Sequence, residues 1–241
     1  MRVNVVEVPA TWGSPAATLA AVDAALAVAP PADLVLLPEL ALTGYVSPRG
    51  VFDPTRFAEP TDGPTTAGLA ALARARGATV VGPLVLREGE RVSNAARAVT
   101  PEGAELFTYR KRHPWFPETW ATAGEARPPV VTVAGRRVTI CICYDLHFAP
   151  EDAAEELAEA DVLLFPSAWV DEEDTRVPTL EALAQRFGTW VVAANWSPGV
   201  VVVPGQGGSC VIAPDGRVVA EARGATDAAG LEVVAAEIAP R

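Results

Sequence analysis

The chain has 241 residues, half of them apolar and 20% charged, with 30 acidic against 19 basic side chains and a net charge of −11. That length buries a sizeable core. An acidic balance without a basic stripe excludes nucleic acid as a partner, since neutralising phosphates takes clustered cations.

In chain order, strand-like runs cover residues 2–8, 33–37, 78–86, 94–99, 104–109, 129–133, 137–143, 161–165, 189–195, 207–213, 217–221 and 231–237. Alanine-rich helical windows fall at 14–29, 64–76, 150–159 and 177–187. Ser14 followed by Pro15 reads as a helix cap and first turn. Pro101-Glu102-Gly103 and Pro214-Asp215-Gly216 read as hairpin turns. The first residues enter a strand pattern at Val3, Val5, Val6 and Val8, with no leader-peptide signature. No apolar run is long enough to span a bilayer, so no membrane partner is expected. Three cysteines cannot all pair, and Cys141 and Cys143 are too close for an ordinary bridge. A reducing cytoplasm is the expected location. No low-complexity linker divides the chain, so a single domain over 1–241 is expected.

An internal echo runs through these elements. The segment 32–39, ending Leu36-Leu37-Pro38-Glu39, resembles 160–167, ending Leu164-Phe165-Pro166-Ser167. The segment 77–81 resembles 188–192, and the two Pro-x-Gly turns follow in the same order. Two halves, each a sheet with helices on one face, would pack sheet against sheet. The expected fold is α/β: a four-layer α-β-β-α sandwich with two mixed sheets of similar topology. A chance likeness between ordinary αβ units is the alternative.

Three segments end a run of β-formers at a reactive group: Glu39 after 32–37, Lys111 after 104–109, and Cys143 after 138–142. A thiolate attacks acyl carbon, a carboxylate takes the thiol proton and activates water, and an ammonium neutralises the oxyanion. Each residue taken singly also has an ordinary reading. Glu39 would be a solvated loop acid, Lys111 part of a basic surface run, and Cys143 an inert buried thiol. Competing chemistries are weak. The only histidines are His113, in the basic run, and His147, four residues from Cys143 in one loop. Cys141-x-Cys143 lacks a second ligand pair and Cys210 is isolated, so no metal is expected. Gly205-Gln206-Gly207-Gly208-Ser209 has no following Lys-Ser/Thr and leads into a strand, unlike a phosphate loop.

At these residues the chain resembles the nitrilase, or carbon–nitrogen hydrolase, superfamily, which uses Glu, Lys and Cys in this order. Its three signatures resemble Leu37-Pro38-Glu39-Leu40-Ala41-Leu42-Thr43-Gly44-Tyr45, Tyr109-Arg110-Lys111-Arg112-His113 and Ile142-Cys143-Tyr144-Asp145-Leu146. Asn94, Pro166-Ser167-Ala168-Trp169 and Asn195 fit supporting positions. The resemblance implies Glu39 as general base, Cys143 as nucleophile, and Lys111 with the Tyr144 N–H as oxyanion stabiliser. Glu118 matches a second family glutamate that orients the lysine or assists with water. The resemblance further implies a homodimer or higher homo-oligomer, with no cofactor and no metal.

The chain departs from the family in places. His147 stands where Arg is frequent, and Leu183-Ala184-Gln185-Arg186-Phe187 replaces an Arg-Ala-x-Glu-Asn run. Little chain follows the last strand before Arg241. Members acting on nitriles commonly carry Cys-Trp-Glu, whereas Cys143-Tyr144-Asp145 looks like the amidase and carbamoylase branches. A small amide or N-carbamoyl compound is therefore the expected substrate. Tyr45, Trp115, Tyr144, His147, Trp169 and Asn195 are the expected substrate contacts, and Trp120 and Trp196 are further candidates for the wall. Nitrile hydrolysis, acyl transfer to an amine, and a catalytically silent binding protein are the alternatives.

Overall fold

The computed structural model describes residues 1–173, 175–223 and 230–239; Arg241 lies outside them. The first half runs β1 (Arg2–Pro9), α1 (Pro15–Val28), β2 (Leu34–Leu36), α2 (Pro64–Arg76), β3 (Thr79–Glu88), β4 (Arg91–Val99) and β5 (Glu105–Arg110). The second half runs β6 (Val131–Val133), β7 (Arg136–Ile140), α3 (Ala149–Asp152), α4 (Ala154–Glu159), β8 (Val162–Pro166), α5 (Arg176–Phe187), β9 (Trp190–Ala194), β10 (Trp196–Ser197), β11 (Cys210–Ile212), β12 (Val218–Glu221) and β13 (Glu232–Glu237).

The echo in the sequence is an echo in the pairing. In one sheet β13 is antiparallel to β1, β1–β2–β3 are parallel, and β4 and β5 follow antiparallel. In the other, β6 is antiparallel to β7, β7–β8–β9 are parallel, and β11 and β12 follow antiparallel. The helices preceding β3 and β9 both end in a left-handed glycine, Gly77 and Gly188. The resemblance of 32–39 to 160–167 therefore marks equivalent strands, β2 and β8.

Alternation sorts each strand between two layers. In β2, Leu34 and Leu36 face the core shared by the sheets, where they join Val5, Ile140, Val192 and Val211. The intervening Val35, with Leu37, joins Val22, Leu26, Leu69 and Leu72 under α1 and α2. Leu157 of α4 and Leu180 and Leu183 of α5 cover the outer side of the second sheet. The result is the expected α-β-β-α sandwich.

Four local expectations need correction. The strand over 137–143 stops at Ile140, and residues 143–147 form a 3₁₀ turn because Cys143 adopts φ +46°. The strand over 207–213 begins only at Cys210, since Gly207 and Gly208 have φ of 86° and 68°, outside the extended region. The helix over 150–159 is two pieces broken where Ala153 leaves helical backbone values. Pro15 does open α1, but Ser14 makes no side-chain capping bond.

Candidate active site

The C-terminal ends of strands from both sheets meet at one place. Glu39 lies three residues past β2, at a turn where Leu40 takes φ +50° and the Gly44 N–H closes on the Leu40 carbonyl. Gly44 is required there, because a Cβ would collide with the Thr11 carbonyl. This close approach delivers Tyr45. Lys111 follows β5 directly, and its N–H donates to the Asn94 carbonyl of β4 at 2.8 Å. The Gly124 N–H returns to the Lys111 carbonyl at 2.8 Å, an approach that a side chain at Gly124 would block against Arg110. Cys143 heads the 3₁₀ turn. A left-handed non-glycine residue costs about 1–2 kcal/mol and is typical of functional sites.

Asp145 fixes that turn from beneath. Its Oδ2 accepts the Ile142 N–H at 3.0 Å and the Tyr109 hydroxyl at 2.9 Å. Its Oδ1 accepts the His113 N–H at 2.9 Å and lies 3.0 Å from His113 Nδ1, while Phe148 stacks on the His113 ring at 4.0 Å. His113 is thus a brace for the thiol's turn. The order of residues in the motif gave no sign of this.

Glu39, Lys111, Glu118 and Cys143 are brought together. Lys111 is 1% exposed and Glu39 and Glu118 are each 2% exposed. Lys111 Nζ donates to Glu39 Oε1 at 2.7 Å and to Glu118 Oε1 at 3.0 Å. Asn94 Nδ2 donates to the same two oxygens at 2.8 and 3.0 Å. Glu39 Oε2 accepts the Ala168 N–H from beyond β8 at 2.9 Å, and Glu118 Oε2 accepts the Trp115 N–H at 2.8 Å. Asn94 and Ala168 are the partners that spacing did not single out as site residues. Ala168 is found only once the sheets are docked, whereas Asn94 lies on β4, in the same sheet as β2 and β5.

Burial alone would lower the Lys111 ammonium, but the carboxylates of Glu39 and Glu118 outweigh it and hold it above the ordinary lysine value. Burial pushes the Cys143 thiol well up, and the Glu39 charge adds to this; Lys111 and the Ala168 N–H act the other way without prevailing. The resting nucleophile is therefore a protonated thiol beside a carboxylate, rather than a standing thiolate. Burial, and then the charge of Glu39, raise Glu118 to about 7 against the opposing pull of Lys111.

The Glu118 shift has a consequence for stability. Between pH 4.5, its ordinary value, and about 7 the folded chain keeps a proton that the unfolded chain has lost. The stability linked to Glu118 thus falls as pH rises through that window. Relative to Glu118→Gln, the wild type should lose about 3 kcal/mol between the two ends of that window. Urea unfolding of both proteins over a pH series tests this, and parallel curves would remove the assignment.

In front of the thiol lies a cavity of about 130 Å³ lined by Tyr45, Trp115, Tyr144, His147 and Trp169, with Ala168, Val170, Asp171 and Thr175. Five of the six expected substrate contacts are therefore in its wall. Asn195 is not. It is fully buried, its Oδ1 accepts the Trp169 N–H at 3.0 Å, and its Nδ2 donates to the Gly205 and Gly207 carbonyls at 2.8 Å. It holds the wall from behind, because the end of β9 turns this side chain away from the cavity. Trp196 likewise supports the wall, donating its indole N–H to the Trp169 carbonyl at 2.9 Å. Trp120 packs in the cluster around Tyr45 without lining the cavity.

Sandwich and site together define a hydrolytic enzyme of the nitrilase superfamily. The chain belongs to the carbon–nitrogen hydrolase family, whose model matches residues 2–240. An amidase from Nesterenkonia sp. AN1 superposes with a TM-score of 0.83 at 27% identity, covering 99% of this chain and 93% of that one. A variant of that amidase carries the acetamide moiety of fluoroacetamide covalently at its active-site cysteine. A hydrolase of the pqqF 5′ region from Pseudomonas protegens is 32% identical over 194 residues, 78% of this chain and 67% of that protein. A formamidase from Bacillus cereus is 33% identical over 99 residues, 40% of this chain but only 28% of the formamidase. No helix among the described residues is long and apolar enough to cross a membrane.

Proposed function

We propose that the chain hydrolyses a small amide or N-carbamoyl compound through a Cys143 thioester. The observation that carries this reading is the buried Glu39–Lys111–Glu118 cluster set against a thiol that opens into a cavity. Burying three charges is costly unless they act together, and a binding module needs none of them.

The steps follow from the charges. Glu39 takes the thiol proton as Sγ bonds to the carbonyl carbon, so no free thiolate has to persist in a buried site. The carbonyl oxygen gains the electron pair of the broken π bond, and Lys111 Nζ with the Tyr144 N–H stabilises it. Collapse breaks the carbon–nitrogen bond as Glu39 returns the proton to the leaving nitrogen, freeing ammonia or an amine. Water then attacks the thioester carbon as Glu39 takes its proton; collapse breaks the carbon–sulfur bond, and Glu39 returns that proton to the Cys143 sulfur as the acid product leaves. Glu118 keeps Lys111 aimed at the oxyanion. The acetamide moiety carried by the active-site cysteine of the Nesterenkonia amidase supports a nucleophilic cysteine, the group on which this sequence depends.

Amides are expected to be better substrates than nitriles, on the Cys143-Tyr144-Asp145 sequence and the amidase likeness. Matched amide and nitrile pairs sharing one side chain, assayed for ammonia release, test this. A larger kcat/KM for the nitrile across several pairs would overturn the bond assignment and leave the Glu–Lys–Cys assignment standing.

A further inference from the structure

The cavity at Cys143 is walled by aromatic rings and carries one permanent charge among its described lining residues, that of Asp171. Its one imidazole, His147, lies stacked on Trp169, with centroids 5.7 Å apart and planes 28° apart, and the Tyr144 ring meets it edge-on at 4.9 Å. Trp115 and Tyr45 stack at 6.2 Å. Asp171 is held in place at the rim. Its Oδ2 accepts the Thr175 hydroxyl at 2.6 Å and the Thr175 N–H at 3.0 Å, and its Oδ1 accepts the Glu173 N–H at 3.1 Å. The Thr175 bonds first, then that of Glu173, draw the carboxyl down to about 2, so it is ionised at any working pH. Behind the thiol, Lys111 is flanked by Glu39 and Glu118 and offers no uncompensated positive charge.

We propose that this site selects small amides whose far end carries an ammonium group, held by the aromatic faces and the Asp171 carboxylate, and turns away those whose far end is a carboxylate. The inference rests on the amide-hydrolysis reading and narrows it. The negative faces of aromatic rings attract a cation, and the nearby acid adds to that attraction. A carboxylate entering the same space loses water, meets those faces and Asp171, and finds no Lys or Arg in the described wall to replace its solvation. N-carbamoyl amino acids carry such a carboxylate, so the cavity disfavours that part of the N-carbamoyl class. A cavity of about 130 Å³ also falls below the range of roughly 300–1,000 Å³ for drug-sized ligands, which limits the substrate to a few heavy atoms.

Three amides that share a two-methylene spacer separate the possibilities, 3-aminopropanamide, butyramide and succinamate, with neutral succinamide as the size match for succinamate. Binding to Cys143→Ala, measured by calorimetry, reads the preference without turnover. The ammonium compound should bind about tenfold tighter than butyramide, and succinamate about tenfold weaker than succinamide or worse. Salt should shrink both differences. Asp171→Asn should narrow the ammonium-to-neutral ratio about threefold or more, a ratio that an overall loss of folded protein does not move. Succinamate binding as well as succinamide, an ammonium compound binding no tighter than butyramide, or no binding by any of the four would each overturn the proposal. The hydrolysis reading has its own separate failure, namely wild-type protein that releases no ammonia from any small amide tried.

Discussion

Cys143→Ala should lose turnover almost completely, by about 10⁴- to 10⁶-fold in kcat, the scale on which removing a nucleophile costs a hydrolase. The same substitution should remove the acyl adduct that intact-protein mass spectrometry detects on wild-type protein mixed with substrate. Cys141→Ala is the informative control. Cys141 is two residues away and also buried, but it is absent from the cavity wall. It should keep both adduct and turnover. Full activity in Cys143→Ala would end the thioester mechanism.

Lys111→Met is expected to damage both chemistry and fold. Loss of an oxyanion donor typically costs about 10²- to 10³-fold in kcat. Removing one partner from a buried ion cluster costs a further 3–5 kcal/mol or so in stability, because Glu39 and Glu118 would then face each other without a cation. That penalty should be smaller in acid, since two adjacent carboxyls relieve it when one takes a proton. Unfolding free energies at pH 8 and pH 5.5 read this directly. A variant equally stable at both pH values would mean that Lys111 does not hold the two acids together. A variant too unstable to purify at pH 8 but folded at pH 5.5 would bear the argument out.

Much of this architecture is legible in the amino-acid sequence, for physical reasons. The likeness of 32–39 to 160–167 identified β2 and β8 because parallel strands buried on both faces read as continuous apolar runs. Glu39 and Lys111 stand out because each follows a strand-like run and, with Cys143, completes a set suited to acyl transfer. The details that escaped are those decided by contacts across the sandwich. Ile140-Cys141-Ile142-Cys143 is an unbroken run of strand formers, and nothing in it shows that the chain leaves the sheet at Ile140. The cause is Asp145, whose carboxylate accepts the Ile142 N–H, and the left-handed backbone at Cys143. Asn195 looked like a substrate contact because it ends a strand next to the site. Only the Gly205–Gly207 loop, which claims its amide, places it behind the wall. The two-residue strand β10 is too short to carry any pattern.

Because the site lies on the seam between the two sheets, its assembly is also an event in folding. Glu39, Asn94 and Lys111 belong to the first half of the chain, and Cys143 and Ala168 to the second. The bond from the Ala168 N–H to Glu39 spans 129 residues of sequence. Either half collapsed alone would hold a base without a nucleophile or a nucleophile without a base. Contacts this distant in sequence form late and slowly. The regain of activity during refolding therefore times the docking of the sheets, and should lag behind probes that report the formation of helices or individual strands.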